Sequence, residues 1–327
     1  HPINESTMKF VLVLAAVLVA ASTVPHPHMV QQEWDSFKSK HVKVYKNVEE
    51  EAKRMAIFHQ NLVKIEEHNK LYKQGLSTFK MGVTQFADMT SDEFMAYVNR
   101  SAVIGHPQVR GEKVVFPDVD PPESVDWRPK KVLTPVKDQG PCGASWSFAA
   151  TGELESAYAI AHGELFPLSE QELIDCTGSY GNEGCNSGST FFGFQYVADN
   201  GIAFEKDYPY EKKDGTCHKV KKSPVIVQSN TGLIPTEANL RSGIAHHPLN
   251  VVVDATALWQ HYTGGCIVDN LCNPEKANHA VLAVGYDSLS WLLKNSWGSS
   301  WGEGGYIRLS KTTGCGVVDH ASIVMIA

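Results

Sequence analysis

The sequence predicts an α+β protein: a mainly helical N-terminal segment, followed by a unit with a helical half and a β-rich half. Three observations predict this fold class. Apolar residues recur at helical spacing between residues 31 and 69, and glycines and prolines interrupt residues 101–122. Beyond residue 225, short β-branched runs separated by turn residues replace the helical pattern. The 327 residues, 43 % of them hydrophobic, can bury one or two cores.

The N-terminus has the pattern of a secretory signal peptide, predicted over residues 8–24. Met8 and Lys9 precede an apolar run, 10–21, that spans about 18 Å as a helix against roughly 30 Å of bilayer hydrocarbon. Residues 1–7 precede the apparent initiator Met8, and we interpret them as a cloning remnant. No other apolar run approaches membrane length, so we expect no membrane association.

The helical elements come first along the chain. A short helix is predicted around Trp34 and Phe37, and an extended linker over Ser101–Pro122. Between them lies a long amphipathic helix ending near Asn69, whose apolar face holds Met55, Phe58, Leu62 and Ile65. A helix is also predicted from Ser145 to about Ala161. The β-branched runs that predict strands are Val225–Val227, Val251–Val253, Ala280–Tyr286 and Tyr306–Leu309.

The composition argues against two classes of partner. The formal net charge is -7 and no long basic run is available to follow a phosphate backbone, so nucleic acid is not expected. The histidine pairs His26/His28 and His246/His247 lack a cysteine or carboxylate at ligand spacing. We therefore expect neither a metal nor a cofactor.

Residues 139–146 read Gln-Gly-Pro-Cys-Gly-Ala-Ser-Trp, which resembles the Cys-Gly-[Ser/Ala]-Cys-[Trp/Tyr] signature around the nucleophile of papain and the cathepsins. Ser145 stands where that signature has its second cysteine. A His and an Asn are expected about 130 to 150 residues downstream, and His279 and Asn295 lie 134 and 150 residues beyond Ser145. The chain therefore resembles the papain family of cysteine endopeptidases over nearly everything after residue 24.

The upstream segment resembles the propeptides of cathepsin L-like enzymes. It fits every position of their interspersed motif: Glu50, Arg54, Ile57, Phe58, Asn61, Ile65 and Asn69. A second motif, Gly-x-Asn-x-Phe-x-Asp, runs from Gly82 to Asp88 with Thr84 in place of Asn. The resemblance implies an inhibitory propeptide over 25–120 and a papain-like peptidase domain over 121–327, with a helical left half and a β-barrel-like right half.

In the family, the propeptide runs through the cleft in the reverse of the substrate direction. By resemblance, the block Gly105–Pro122 is that covering strand, and cleavage falls near Asp118–Pro122. Activation by acid is expected, because protonation of Glu50 and Asp88 would weaken charge contacts with the peptidase domain. Asn99-Arg100-Ser101 is a glycosylation sequon within this segment.

The residue types suit a thiol protease. A thiol attacks only as thiolate, so it belongs at a helix N-terminus beside an imidazole that takes its proton. By resemblance, position 145 holds the nucleophile, His279 is the acid and base, and Asn295 orients the imidazole while Trp297 shields that bond. Gln139 and the backbone N–H of residue 145 would stabilise the oxyanion.

The resemblance also implies disulfides and a substrate site. The disulfides pair Cys142 with Cys185, Cys176 with Cys217 and Cys272 with Cys315, which leaves Cys266 as a free thiol. Gly188 is expected to offer backbone groups to an extended peptide. The S2 pocket, which receives the second residue before the scissile bond (P2), would be lined by Ser189, Thr190, Val252, Ala277 and His320. Two hydroxyls and a histidine predict weakened preference for large aliphatic or aromatic P2 side chains.

Ser145 leaves three explanations open. In the first, Ser145 is an engineered Cys-to-Ser change that traps the zymogen. In the second, the chain is a natural non-peptidase homologue that acts as a peptide-binding or inhibitory protein. In the third, Ser145 is the nucleophile of a serine-type enzyme. A serine hydroxyl ionises far less readily than a thiol, so the chain as given is expected to be nearly inactive. The retained propeptide and residues 1–7 favour the engineered change.

The expected partners follow from this interpretation. They are polypeptide substrates and the chain's own propeptide as an intramolecular inhibitor, on a monomer. Export together with acid activation suits a lysosome or an extracellular, digestive lumen.

Overall fold

The structure, a computed structural model, describes residues 27–100, 102–103, 113–116 and 120–327. The interpreted cloning remnant 1–7 and the predicted signal peptide 8–24 lie outside the described residues, as do His26, Ser101, Gly105 and Asp118. The α+β fold class is confirmed: a helical N-terminal segment is followed by a helical half and a β-rich half.

Two helices begin the described chain, as predicted. They are α1 (Pro27–Lys40) and α2 (Val48–Lys73). The rings of Trp34 and Phe37 on α1 pack against Phe58 on α2, with centroids 5.3 and 4.8 Å from it. These buried rings hold the two helices together.

Polar caps fix where two helices of the N-terminal segment begin. The Asn47 side chain accepts the N–H of Glu50 at the start of α2. A third helix, α3 (Ser91–Asn99), starts with a capping box in which Thr90 and Glu93 each bond the other's backbone N–H. None of the helices in the described ranges is long and apolar enough to cross a bilayer.

The helical half surrounds one buried helix, α4 (Ser145–His162), whose residues 145–159 are all buried. It packs on α5 (Glu170–Cys176) and α6 (Thr190–Asn200) on one side and on the strands of the β-rich half on the other. A helix without a solvent face is typical of a position inside a core. α4 therefore lies at the seam between the two halves.

The described strands form one large mixed sheet and one small ribbon. In chain order they are β1 (Phe79–Met81), β2 (Ala102–Val103), β3 (Val125–Asp126), β4 (Ser187–Gly188), β5 (Val227–Gly232), β6 (Leu249–Val253), β7 (Tyr262–Ile267), β8 (His279–Tyr286), β9 (Ser290–Lys294), β10 (Tyr306–Ser310) and β11 (Ala321–Ile326). The large sheet has the order β1-β7-β10-β9-β8-β6-β11-β5, with β3 also paired to β8, and only β7 and β10 pair in parallel. Helix α7 (Glu237–His246) packs on β8.

β1 belongs to the N-terminal segment, yet it extends the sheet of the β-rich half. It pairs antiparallel with β7, where Phe79 lies opposite Gly265. Gly265 has a φ of +91°, and a Cβ there would lie 2.5 Å from the carbonyl oxygen of Thr78. Glycine at this position therefore allows the propeptide strand to approach.

Three disulfides join the cysteine pairs that the resemblance implied. Cys142–Cys185 and Cys176–Cys217 staple the loops of the helical half, and Cys272–Cys315 ties two loops of the β-rich half. Cys266, on β7, is the free cysteine among the described residues.

Buried carboxylates on α4 cross the seam. Glu153 Oε2 accepts the backbone N–H of Asn250 (2.8 Å) on β6 and the side-chain amide of the same residue (2.5 Å). Its Oε1 accepts the N–H of Val324 (2.7 Å) on β11. On the same turn of α4, Glu155 binds Lys137 Nζ at 2.7 Å, and the neighbouring Glu170 binds it at 2.5 Å.

Not every predicted element has the predicted limits. The run Val225–Val227 was expected to be a strand, but β5 begins only at Val227 and continues to Gly232. The other three predicted strands correspond to β6, β8 and β10.

Glu153→Gln is expected to reduce the pH dependence of stability. Burial raises the pKa of Glu153 to about 8, so the folded chain keeps a proton between about pH 4.3 and 8 that the unfolded chain has lost. The stabilisation from this group is therefore full below about pH 4.3 and falls by up to about 1.4 kcal/mol per pH unit as pH rises toward 8.

Thermal unfolding of parent and variant at about pH 5, 6.5 and 8 measures this effect. The Tm of the variant should increase relative to the Tm of the parent as pH rises. Glu66→Gln, in an exposed pair with Lys70, is the control and should show no such trend. If the difference in Tm between Glu153→Gln and the parent is the same at every pH, the raised pKa of Glu153 is contradicted.

Candidate active site

Ser145 is the first residue of α4 and is fully buried. Its Oγ accepts the N–H of Ala280 at 3.1 Å, so the start of the helix is bonded to the start of β8. The N–H groups of the first helical turn have no partner within the helix, and the helix dipole adds partial positive charge there. Position 145 can therefore stabilise a negative charge.

His279 precedes Ala280 on β8 and is held on two sides. Its Nε2 lies 2.7 Å from Asn295 Oδ1, which as an amide oxygen can only accept, so Nε2 carries the hydrogen. The ring packs on Trp297, with centroids 4.8 Å apart. Nδ1 is buried and has no hydrogen-bond partner among the described residues. The ring thus keeps a basic nitrogen available.

The surroundings of His279 favour the neutral imidazole. Burial lowers its pKa to about 4, against a smaller raising effect of the bond to Asn295. Asn295 Oδ1 also accepts the N–H of Ser296 at 2.8 Å, which fixes the amide. The predicted orienting residue and the predicted base are therefore in direct contact.

Gln139 is buried in the loop that precedes the helix. Its Nε2 donates to the carbonyl of Cys142 at 3.0 Å, and its Oε1 accepts the hydroxyl of Ser296 at 2.7 Å. The side-chain amide therefore lies beside the loop that leads to Ser145.

Glycines allow backbone to pass close to this loop. A Cβ on Gly143 would lie 2.3 Å from the carbonyl oxygen of Arg100 and 2.5 Å from that of Cys185. A Cβ on Gly188 would lie 2.4 Å from the ring of Trp146. A side chain at position 143 would displace backbone, and one at position 188 would displace the buried ring of Trp146, so both positions need glycine.

The propeptide strand in the cleft is β2, which pairs in parallel with β4 and places Val103 beside Gly188. Residues 105–112 and 117–119 of the expected covering strand, Gly105–Pro122, lie outside the described residues. In the described part of that block, Val114 pairs with Leu233 in the β-rich half and Phe116 stacks on His246. At residues 114–116 the segment therefore lies against the β-rich half.

Aromatic residues of the propeptide cover Trp297. Phe86 and Phe94 meet it edge to face, at 5.3 and 5.7 Å between centroids, and Tyr97 lies at 6.1 Å. Phe86 belonged to a recognised motif, whereas Phe94 and Tyr97 were not singled out in the sequence. Their aromatic character and helical spacing on α3 are the signal that could have found them.

The residues predicted to line S2 come from both halves. Val252 donates its N–H to the carbonyl of His320 (3.1 Å), and both His320 Nε2 and the N–H of Ala277 contact the carbonyl of Pro274, at 2.9 and 3.3 Å. These three residues lie together. The other two come from the start of α6: Ser189 N–H donates to Asn182 Oδ1, and Thr190 Oγ1 donates to Asn250 Oδ1 at 2.8 Å.

No group of three or more His, Cys, Asp or Glu side chains in the described ranges could hold a metal ion. The ring of His246 stacks on Phe116, and His247 Nδ1 contacts the carbonyl of Pro248 at 2.8 Å. The contacts of these two rings are with an aromatic ring and a backbone carbonyl, not with further candidate metal ligands.

Comparisons with known proteins agree on two domains. The family profile described as "Papain family cysteine protease" matches residues 121–325, and that of "Cathepsin propeptide inhibitor domain (I29)" matches residues 34–94. A cathepsin L-like peptidase of Aedes aegypti is 38% identical, over 98% of this chain and 100% of the relative. Digestive cysteine proteinase 3 of Homarus americanus is 41% identical over 88% of this chain and 93% of the relative. The structure of digestive procathepsin L 3 from Tenebrio molitor larval midgut superposes with a TM-score of 0.85 at 40% identity, over 90% of this chain and 99% of that one.

In the intact chain, the ring of His279 is expected to stay neutral down to about pH 4, because burial disfavours the imidazolium. Ring-nitrogen NMR of the histidines, with His279→Ala to identify the resonance, measures the titration. Asn295→Ala should lower the midpoint further, since it removes the acceptor that stabilises the charged ring. A midpoint near the ordinary histidine value of about 6.5 would contradict the buried environment.

Proposed function

Because this chain belongs to the papain family of cysteine proteases and is a cathepsin L-like zymogen with a propeptide inhibitor domain, we propose that Ser145, His279 and Asn295 form its catalytic centre. Ser145 occupies the position of the nucleophile. One observation carries this proposal: the residue at the start of α4 is bonded to the strand that begins with His279, while His279 is oriented by Asn295.

With cysteine at position 145, the geometry supports peptide hydrolysis in two stages. The thiol gives its proton to Nδ1 of His279, and the thiolate attacks the carbonyl carbon of the scissile bond. Gln139 Nε2–H and the N–H of residue 145 stabilise the oxyanion. The amine leaves with the proton from His279. Water, deprotonated by the same nitrogen, then hydrolyses the thioester and restores the thiol.

We propose that Ser145 is an engineered replacement for this cysteine. The imidazole that serves a thiol cannot generate an alkoxide at useful levels, so the chain is nearly inactive. Gln139, His279, Asn295 and Trp297 keep their contacts, which supports a former protease more than a natural non-peptidase homologue. That homologue, a peptide-binding or inhibitory protein, remains the alternative outcome of the test below.

The propeptide, proposed to be residues 25–120 ahead of a peptidase domain 121–327, is held by hydrogen bonds and apolar contacts. Thr84, where the family motif has Asn, donates to the carbonyl of Gln260 at 2.6 Å. The side chain of Gln260 in turn donates to the carbonyls of Phe86 and Met89, at 3.0 and 2.8 Å. A threonine hydroxyl thus still anchors this turn to the peptidase domain.

The ion pairs of the propeptide lie within it. Among the described residues, Asp88 pairs with Lys43 (2.9 Å) and Glu93 with Arg54 (2.7 Å), while Glu50 Oε2 accepts the N–H of Lys46. The expectation that Glu50 and Asp88 contact the peptidase domain by charge was therefore wrong. We propose instead that acid loosens the internal fold of the propeptide, which then leaves the cleft.

The biological setting is proposed from the same features. The substrates are polypeptides, and the propeptide is the chain's own inhibitor on a monomer. An acid-triggered cathepsin L-like enzyme behind a signal peptide over 8–24 suits the secretory pathway, with delivery to a lysosome or to an extracellular, digestive lumen.

Ser145→Cys is expected to convert the zymogen to a protease. At about pH 4 to 5, where carboxylates protonate, the variant should lose its propeptide and be labelled by a thiol-directed epoxide. Mass spectrometry and peptide cleavage measure the two events. Ser145→Cys with His279→Ala is the matched control and should retain its propeptide, because the base is absent. If Ser145→Cys shows neither processing nor labelling, the chain is a non-peptidase homologue.

Glu93→Gln in the Ser145→Cys chain is expected to raise the pH of half-maximal propeptide release by a few tenths of a unit. The hydrogen bond from Arg54 lowers the pKa of Glu93, so the stabilisation from this pair is present above the ordinary carboxyl value of about 4.3 and lost as pH falls below it. Glu93→Gln lacks this stabilisation at every pH, so its propeptide is expected to be released at a higher pH than that of the parent.

Release at fixed time between about pH 3.5 and 7 measures the shift. Glu66→Gln on α2, in the exposed pair with Lys70, is the control and should release at the parent's pH. An equal midpoint for Glu93→Gln and parent would show that the internal ion pair does not govern release.

A further inference from the structure

A chain of polar contacts connects the rim of the proposed S2 pocket with the seam of the two halves. Thr190 Oγ1 donates to Asn250 Oδ1 at 2.8 Å, and Asn250 Nδ2 donates to Glu153 Oε2 at 2.5 Å. All three side chains are fully buried. They come from α6, β6 and α4, so the contact joins three elements across the seam.

The Thr190 hydroxyl therefore has a fixed direction. Turning Thr190 away from Asn250 would leave its buried hydroxyl without a hydrogen-bond partner, which is unfavourable. With the hydroxyl directed at Asn250, the methyl group is the part of the Thr190 side chain that can face the proposed S2 pocket. The sequence alone counted this hydroxyl among the polar groups of S2.

Glu153 keeps Asn250 in place. Its carboxyl group accepts both N–H groups of Asn250 and the N–H of Val324, and Ser322 Oγ contacts the same amide at 2.9 Å. An amide can serve either protonation state of Glu153, because a half-turn exchanges its donor and its acceptor. In both orientations Asn250 remains the partner of the Thr190 hydroxyl.

We propose that Asn250 and Glu153 are positioning residues for P2 selectivity: they hold the Thr190 hydroxyl away from the S2 pocket, so that this wall presents a methyl group to substrate. The pocket is consequently less polar than its residue types indicate. This inference rests on the proposed function, because S2 exists only if the centre at position 145 is a peptidase.

The test uses two peptide substrates that differ only in having Thr or Val at P2, a pair of nearly equal shape. The parent is the Ser145→Cys enzyme after maturation, and active sites are titrated with the thiol-directed epoxide. The readout is the ratio of kcat/KM for the Thr peptide to that for the Val peptide. This ratio is independent of how much enzyme is folded, so a purely structural defect does not change it.

Three variants separate the possibilities. Thr190→Val should change the ratio by less than about twofold, because the hydroxyl it removes does not face substrate. Asn250→Leu should raise the ratio at least about fivefold, since the freed Thr190 hydroxyl can then bond a P2 hydroxyl, a gain of the size of one hydrogen bond. The double variant Thr190→Val/Asn250→Leu should return to the parent ratio.

Two results would overturn the proposal: a fivefold fall in the ratio for Thr190→Val alone, or an unchanged ratio for Asn250→Leu. If Asn250→Leu does not yield active sites, Glu153→Gln/Asn250→Leu replaces it, because the introduced glutamine places no charge in the seam once the amide of Asn250 is gone. An inactive, unlabelled parent would refute the proposed function instead, so the two failures are distinguishable.

Discussion

The burial of α4 over residues 145–159 is the constraint on which the molecule depends. A helix with no solvent face must find partners on every side, and α4 takes them from the helical half and from the sheet. Its first residue, Ser145, is bonded to β8, and its third turn carries Glu153 and Glu155 into the seam. Since the site is assembled from residues of both halves, any loosening of this helix would separate Ser145 from His279.

The propeptide uses the same sheet that supports the site. β1 adds a strand at the edge, beside β7, while α3 brings its aromatic rings onto Trp297, which itself packs on His279. The covering segment therefore does not only block the cleft. It also covers Trp297, on which the buried imidazole packs, and burial keeps that ring neutral at the pH where a mature thiol protease would hold a thiolate and imidazolium pair.

Much of the site could be predicted because its residues lie in contiguous motifs. The stretches around Ser145 and Asn295 each include glycine and tryptophan, whose local roles the structure makes clear at Gly143 and Trp297. The partners that act across the seam could not be predicted. Glu153 and Asn250 are 97 residues apart, and nothing in either local sequence indicates a contact.

The parallel pairing of β2 with β4 also governs how activation develops in time. A strand that runs opposite to the direction of a substrate presents its peptide bonds in the reverse orientation. A molecule with the proposed centre therefore cannot cut the strand that occupies its own cleft. The initial cut must come from a neighbour or after a transient opening. With cysteine restored, maturation would accordingly be autocatalytic: a lag set by rare openings, then an acceleration that depends on enzyme concentration as finished molecules process the remaining ones.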